Sequence, residues 1–137
     1  MTAIRLLAPA KLTLSLRVTG RRSDGYHLID AEMVSVDLCD ELVVSKGSAL
    51  VVRPTRSGLE VPVNENNIVA RALELVGREA EVVIEKRIPA GAGLGGGSTN
   101  AAAILRWAGL GDPMAAVDLG ADVAFCLQGG RARVRGI

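Results

Sequence analysis

Glycine is concentrated in one short stretch, directly ahead of an alanine-rich segment. Five of the seven positions from Gly91 to Gly97 are glycine, and Ser98 and Thr99 follow them. Glycine loses more conformational freedom on folding than any other residue, so this density is costly unless something must approach the backbone closely. A helix that begins here would present free N–H groups and the positive end of its dipole. The stretch therefore predicts a loop that binds an anion such as a polyphosphate.

Three known patterns of nucleotide-binding loops can be compared with this stretch. A glycine-rich turn with only a structural role is the alternative to all three. The Walker pattern GxxxxGK[ST] fits Gly91 to Ser98, except that Gly97 stands at the lysine position. The dinucleotide fingerprint GxGxxG also fits, but no strand ending in an acidic residue follows the helix. The third pattern, PxxxGLGxSxxAA, closely resembles "PAGAGLGGGSTNAA".

Two charged residues in apolar surroundings are candidates for chemistry. Asp122 lies in "LGADVAF", between a turn of small residues and an apolar segment predicted as a strand, where a carboxylate loses part of its hydration. Lys11 lies in "APAKLTL", where a cation is costly unless it is paired. The residues alone leave open that Asp122 is a cap or turn residue and that Lys11 extends to solvent.

The elements that must position these residues alternate between strand and helix patterns. Asn66 or Asn67 can cap a helix that Gly77 ends, and Ser98 or Thr99 can cap the helix after the glycine stretch. Asp112 can cap a short helix with Pro113 in its first turn. Strands are predicted over the segments "IRLLAPAK", "LTLSLRV", "AEMVSVDL", "DELVVSK", "ALVVRP", "EAEVVIEKRIP", "ADVAFCLQ" and "ARVRGI", with Asp40 and Gly47 as breaks.

This order predicts an α+β fold, a mostly antiparallel sheet with helices on one side. The 137 residues suit one domain, and 49% of them are hydrophobic. A net charge of +1 and an aromatic content of 2% argue against binding to nucleic acid or to an anionic membrane. No apolar run reaches transmembrane length, so we expect a cytoplasmic protein.

The remaining candidates have simpler interpretations. Cys39 and Cys126 lack CxxC spacing and a neighbouring histidine, so we expect buried thiols rather than a metal site. Arg131, Arg133 and Arg135 alternate, which places three cations on one face of a strand. A solvated face is the favoured interpretation of this row, and an anion-binding row is the alternative.

Several motifs together resemble one family. The blocks P-A-K, D-G-Y-H, G-L-G-G-G-S and G-A-D-V occur in this order and span nearly all of the chain. In this respect the chain resembles the GHMP small-molecule kinases, and it corresponds to the N-terminal half of a typical member. The resemblance implies the family's N-terminal domain over residues 1–137, with the fold of ribosomal protein S5 domain 2. It also implies ATP-dependent phosphorylation of an alcohol, diphosphocytidyl methylerythritol, in non-mevalonate isoprenoid biosynthesis.

The resemblance also implies roles for individual residues. Asp122 would accept the proton of the substrate hydroxyl, and Lys11 beside it would polarise that hydroxyl. Tyr26, His27 and Thr13 would contact the substrate, with Tyr26 stacking on its cytosine. Ser98 would also contact Mg²⁺. The residues implied for ATP are Gly91, Gly93, Leu94, Gly95, Gly96, Gly97, Ser98, Thr99, Asn67 and Lys86.

The chain departs from the family pattern at identifiable points. Thr13 stands where the family usually has asparagine, Ala124 stands where it has proline, and the segment before Asp122 is short. Because the resemblance covers one half of the family, we expect a second copy or a C-terminal half to supply the far wall of the cleft. A non-catalytic nucleotide-binding module is the alternative function, and a dehydrogenase is a more distant one.

Overall fold

The computed structural model describes residues 2–25, 27–53, 67–89 and 91–136. Within these ranges the chain forms an α+β fold, as predicted. The strands are β1 (Ile4–Arg21), β2 (His27–Ser45), β3 (Ala49–Arg53), β4 (Glu81–Glu85) and β5 (Arg131–Gly136). The helices are α1 (Ile68–Val76), α2 (Gly96–Trp107), α3 (Pro113–Ala116) and α4 (Ala121–Gln128), with a 3-10 turn at Val117–Leu119.

Strand β2 is the centre of the sheet. Strand β1 pairs antiparallel along one of its edges. Along the other edge, residues 41–45 of β2 pair with β4 and residues 29–34 pair with β5, both antiparallel. Strand β3 adds the one parallel pairing of the described sheet, alongside β4. The prediction of a mostly antiparallel sheet is therefore confirmed.

Two predicted breaks in the strands are wrong. "IRLLAPAK" and "LTLSLRV" form the single strand β1, because a shift of register between Pro9 and Lys11 absorbs the missing proline N–H. The segments on either side of Asp40 likewise form the single strand β2. Asp40 pairs in register with Ala8 and is fully buried, so it is part of the sheet rather than a break in it.

The prediction of a strand over "ADVAFCLQ" is also wrong, because these residues form helix α4. A short apolar run has no period that separates a buried strand from a buried helix. Packing decides the outcome here: Val123, Phe125 and Cys126 belong to the apolar core, and α4 packs against α2. Asp122 therefore lies in the first turn of a helix rather than at the edge of a strand.

Helix α2 lies at the centre of the apolar core. All residues from Thr99 to Leu105 are buried, and three of them are consecutive alanines. Alanine has a short side chain, so α2 can approach its neighbours closely, and it packs against α1, α4 and β1. Burial on so many sides fixes the position of the N-terminal end of α2, where the glycine-rich stretch ends.

The helix caps agree with the sequence in two cases and differ in a third. Asn67 caps α1 by accepting a hydrogen bond from the Val69 N–H at 2.8 Å, and Gly77 ends that helix in the left-handed conformation. Asp112 caps α3, with Pro113 in its first turn. The predicted cap of α2 by Ser98 or Thr99 is wrong: Gly95 is the N-cap, with φ 69°, and no side chain caps this end in the described residues.

The cysteines and the arginine row lie as follows. Cys126 is buried and Cys39 is half-buried, so the prediction of two buried thiols holds fully only for Cys126. On β5, Arg131 pairs with Glu32 and Arg133 pairs with Asp30, both acids lying on β2. The cations are exposed, as expected of a solvated face. No helix among the described residues has the length and apolar character needed to cross a membrane.

Candidate active site

The glycine-rich loop connects the end of β4 to the start of α2. Gly91, Gly93 and Gly95 have φ values of 75°, 76° and 69°, in the left-handed region that glycine adopts readily. The loop lines a cavity of about 150 Å³. Other residues also line this cavity, namely Asn67, Ile68, Lys86, Pro89 and Asn100. The start of a buried 12-residue helix beside a cavity of backbone groups fits an anionic ligand.

Lys11 connects this loop to Asp122. Its backbone N–H donates to the carbonyl oxygen of Leu94 at 2.9 Å, which holds β1 against the loop. Its side chain is only 8% exposed, and Nζ lies 3.4 Å from Oδ2 of Asp122. The same ammonium donates to Thr13 Oγ1 at 2.9 Å. The structure thus brings together four predicted site residues, Lys11, Thr13, Leu94 and Asp122, whose positions in the sequence are up to 111 apart.

Gly95 must be glycine for two reasons. Its φ is in the left-handed region, and a Cβ built on it would lie 2.8 Å from Cγ of Lys11. Atoms this close overlap, so a side chain at position 95 would displace the Lys11 stem. The glycine therefore permits the contact between the loop and the lysine.

Asp122 is oriented by α4. It lies in the first turn of this helix, where the helix dipole favours a negative charge. Its side chain is 36% exposed, so its carboxylate is accessible from solvent while one oxygen pairs with Lys11. Arg106 of α2 donates to the Cys126 carbonyl oxygen at 2.9 Å and so joins α4 to the helix that follows the loop.

Of the other predicted site residues, some line the loop cavity and others lie away from it. Asn67 and Lys86 line the loop cavity, whereas Ser98 lies half-buried in the first turn of α2. Thr99 is 1% exposed and does not line this cavity; it lies beside Cys126 instead. His27 is exposed at the start of β2, and Tyr26 lies outside the described residues. The roles of these residues stay predictions.

The thiol of Cys126 is held in its neutral form. Burial raises its pKa to about 11, and the negative charge of Asp122 adds to the effect. A thiol with this pKa is almost wholly protonated near neutral pH, so Cys126 is a poor nucleophile. It serves the core rather than the chemistry of the site.

The residues fit Mg²⁺ that is bound together with a polyphosphate. Across the described ranges, no group of three histidine, cysteine, aspartate or glutamate side chains could hold a metal by itself. Magnesium usually needs only one or two protein ligands, because substrate phosphates and water supply the others. The hydroxyl of Ser98, at the start of α2, has the oxygen donor that such a ligand needs, and its role stays a prediction.

Two residues near the loop were not identified from the sequence. Asp40 and Asn100 are both buried and both bond to Lys86. An aspartate inside a β-branched run is the only sequence signal for this group, and we interpreted it as a break in the strand. Their partners lie between 14 and 60 positions away, so only the folded chain shows the group.

A family comparison agrees with this site. Residues 67–130, which contain the loop and Asp122, match the model described as the GHMP kinases N terminal domain. Together with the relatives below, this match shows that the chain belongs to the GHMP kinases.

Individual relatives show which kind of GHMP kinase the chain is similar to. The chain is 45% identical to the 4-diphosphocytidyl-2-C-methyl-D-erythritol kinase of Paracoccus denitrificans, over 97% of this chain and 48% of that protein. It is 41% identical to the enzyme of the same name from Alkaliphilus metalliredigens, over 100% of this chain and 52% of that protein. A crystal structure of 4-(cytidine 5'-diphospho)-2C-methyl-D-erythritol kinase superposes with a TM-score of 0.75 at 39% identity.

That structural match covers 97% of this chain and 52% of the solved chain. The fold and the family resemblance that we derived from the sequence are therefore confirmed. The chain spans about half the length of the curated relatives it matches.

Proposed function

We propose that this chain supplies the ATP-binding half of a kinase that phosphorylates a hydroxyl of 4-diphosphocytidyl-2-C-methyl-D-erythritol in non-mevalonate isoprenoid biosynthesis. The contact between Lys11 and Asp122, directly beside the glycine-rich loop, is the observation that carries this proposal. The relatives with this activity in their names support the choice of substrate. An N-terminal domain over residues 1–137 and a cytoplasmic location stay predictions.

The glycine-rich loop is the proposed site for ATP. Backbone amides of the loop and of the first turn of α2 would hold the phosphates, and the uncapped end of α2 favours their charge. Ser98 would contact the Mg²⁺ that accompanies them. ATP supplies the phosphoryl group that is transferred, and positioning and charge stabilisation are the protein's main contributions to such a reaction.

Asp122 and Lys11 are proposed to act on the alcohol. The Asp122 carboxylate is accessible and would accept the proton of the substrate hydroxyl. Lys11 holds that carboxylate in place and brings positive charge to the site of reaction. Thr13, which bonds to Lys11, would contact the same substrate, as would Tyr26 and His27. In this arrangement one lysine joins the proposed general base and Thr13 through its ammonium, and the loop through its backbone N–H.

The test is a coupled assay of ATP-dependent phosphorylation of the diphosphocytidyl substrate. Loss of a general base typically costs about 10²–10⁴-fold in rate, so we expect Asp122→Asn to lower kcat by this factor. Asp118→Asn is the matched control, because Asp118 is exposed in the 3-10 turn one element earlier. Equal activity of the Asp122→Asn variant and the wild type would contradict the proposal.

A non-catalytic nucleotide-binding module is the second candidate function. It is favoured by Thr13, which bonds to Lys11 and stands where the family pattern usually has asparagine, so one proposed substrate contact is altered. ATP binding by the purified chain without transfer would select this candidate. Transfer restored by a second copy or by a separate C-terminal half would identify the partner that completes the cleft.

A further inference from the structure

A fully buried carboxylate of β2, that of Asp40, has no part in the chemistry described above. It is 0% exposed, and each of its two oxygens accepts two hydrogen bonds. Oδ1 accepts from the backbone N–H groups of Arg87 at 2.6 Å and Ile88 at 2.8 Å. Oδ2 accepts from Lys86 Nζ and from Asn100 Nδ2, the latter at 2.9 Å. A buried charge is tolerated only with such complete pairing.

The four donors have one feature in common, which is their position around the glycine-rich loop. Lys86, Arg87 and Ile88 follow β4 directly, where the loop begins, and Asn100 lies in α2 just after the loop ends. One carboxylate therefore holds both ends of the loop. The ends are also joined directly, since Lys86 Nζ donates to Asn100 Oδ1 at 3.1 Å.

The Lys86 ammonium lies directly against the start of α2. A Cβ built on Gly96 would be 3.0 Å from Lys86 Nζ and 3.2 Å from Ile88 Cγ2. Because Asp40 and Asn100 hold this ammonium from the buried side, its charge is compensated within the protein. Lys86 thus supports the floor of the loop cavity as one member of a fixed ionic group.

We infer that Asp40 is a positioning residue that fixes the glycine-rich loop in its binding conformation before any ligand arrives. A loop with three glycines, Gly91, Gly93 and Gly95, has many conformations in the absence of restraint, and ordering them on binding would weaken affinity. Fixing both ends of the loop at one buried point removes much of that cost. As a statement about ATP affinity, the inference rests on the proposed function; as a statement about the loop, it does not.

Two amides away from Asp40 report on the docked loop. The N–H of Lys11 donates to the Leu94 carbonyl oxygen, and the N–H of Thr99 donates to the Gly95 carbonyl oxygen, both at 2.9 Å. Neither amide bonds to Asp40, so faster exchange there shows that the loop itself has moved. Hydrogen exchange of the full chain, without ligand, measures both.

The principal variant is Asp40→Asn. Its side chain keeps an oxygen for the Arg87 and Ile88 amides but presents an NH₂ group to Lys86 and to Asn100. We expect at least tenfold faster exchange at Lys11 and Thr99, with unchanged exchange where β2 pairs with β4. Glu41→Gln is the matched control, because Glu41 is the next residue of the strand and its half-buried carboxylate pairs with the exposed Arg5 at 3.1 Å, away from Asp40's partners.

A second variant covers the case in which Asp40→Asn does not fold. Asn100→Ala leaves the charges of Asp40 and Lys86 paired and releases only the end of the loop at α2. We expect faster exchange at Thr99 and preserved protection at Arg87 and Ile88. Unchanged exchange at Thr99 in every variant that folds would overturn the inference, as would an equal increase at every amide.

Titration with Mg-ATP separates this inference from the proposed function. At least tenfold weaker binding of ATP by Asp40→Asn, with the Glu41→Gln variant unchanged, supports both. If the wild-type chain binds no ATP, the proposed function fails while the exchange data still decide the role of Asp40. Unaltered ATP affinity in a variant with a released loop would overturn the claim that the ordered loop aids binding.

Discussion

At the scale of single residues, the site depends on close contacts between backbone and long side chains. The Lys11 stem passes over Gly95, and the Lys86 ammonium lies against Gly96. A Cβ at Gly95 would overlap the Lys11 stem, and a Cβ at Gly96 would lie tightly against the Lys86 ammonium at 3.0 Å. The two lysines approach the same end of α2, Lys11 from β1 beside Asp122 and Lys86 from the start of the loop beside Asp40.

Two alanine substitutions in the loop separate backbone strain from side-chain overlap. Gly93 has φ 76° with no atom within 4 Å of a built Cβ, so Gly93→Ala should cost about 1–2 kcal/mol from strain alone. Gly95→Ala adds an overlap with Lys11 Cγ and should cost about 1–3 kcal/mol more. Urea unfolding of both variants measures the difference. Equal losses of stability would mean that the Lys11 stem moves aside freely.

Some residues of this site could be predicted from the sequence, and others could not. Motif order identified Lys11 and Asp122, and the structure places them 3.4 Å apart. The sequence could not identify Asp40 as a site residue, because hydrogen bonds between positions 40, 86 and 100 form only after β2, β4 and α2 have packed together. A charge in an apolar run indicates an unknown partner, and it does not say which residue that partner is.

At the scale of elements, the two helices beside the loop begin in different ways. Helix α1 begins at a side-chain cap, Asn67, which is 3% exposed and lines the loop cavity. Helix α2 begins at a glycine without such a cap. The sequence predicted the start of α1 correctly, because asparagine is a good capping residue. It placed the start of α2 too late, because Ser98 and Thr99 are good capping residues as well. In the folded chain, where the loop packs against Lys11 and Lys86, α2 begins earlier than predicted, at Gly96.

Removal of the Asn67 cap should destabilise the chain measurably. The cap satisfies one of the free N–H groups of α1, and replacement of a capping residue by alanine costs about 1 kcal/mol. We therefore expect Asn67→Ala to lower the free energy of unfolding by about this amount, measured by urea unfolding. Asn67→Ser keeps a capping oxygen and should recover much of the loss. A serine variant as unstable as the alanine variant would show that capping is not the cause.

At the scale of the whole molecule, the sheet joins distant parts of the chain. Strand β5 returns to pair with β2, and Arg133 holds Asp30 with two hydrogen bonds across 103 positions of sequence. The hydrogen bond from Arg133 is the main cause that lowers the pKa of Asp30 to about 2. This ion pair forms only in the folded sheet, so it links the stability of the molecule to pH.

Acidic pH should destabilise the folded chain by breaking the ion pair between Asp30 and Arg133. Because the Asp30 pKa falls from 3.8 in its ordinary state to about 2 in the folded chain, its contribution is complete above about pH 4. It is lost as the pH falls through about 2, when the folded carboxylate becomes protonated. We expect Asp30→Asn to flatten the pH dependence of the urea midpoint between pH 4 and 2.

Asp37→Asn is the control for this measurement, since Asp37 is exposed on the same strand. This control should keep the pH dependence of the wild type. An Asp30→Asn variant with the same dependence as the wild type would contradict the assignment.

The sequence by itself determined the fold class and the glycine-rich loop, and its resemblance to the family implied the pairing of Lys11 with Asp122. These follow from local composition and from motifs whose order is written in the chain. Only the tertiary structure decided that α4 is a helix, that β1 and β2 are continuous, and that Asp40 joins both ends of the loop. The reason is physical: an apolar run of eight residues fits a strand or a helix equally well until its neighbours are in place. A buried carboxylate likewise acquires its partners only when distant segments meet.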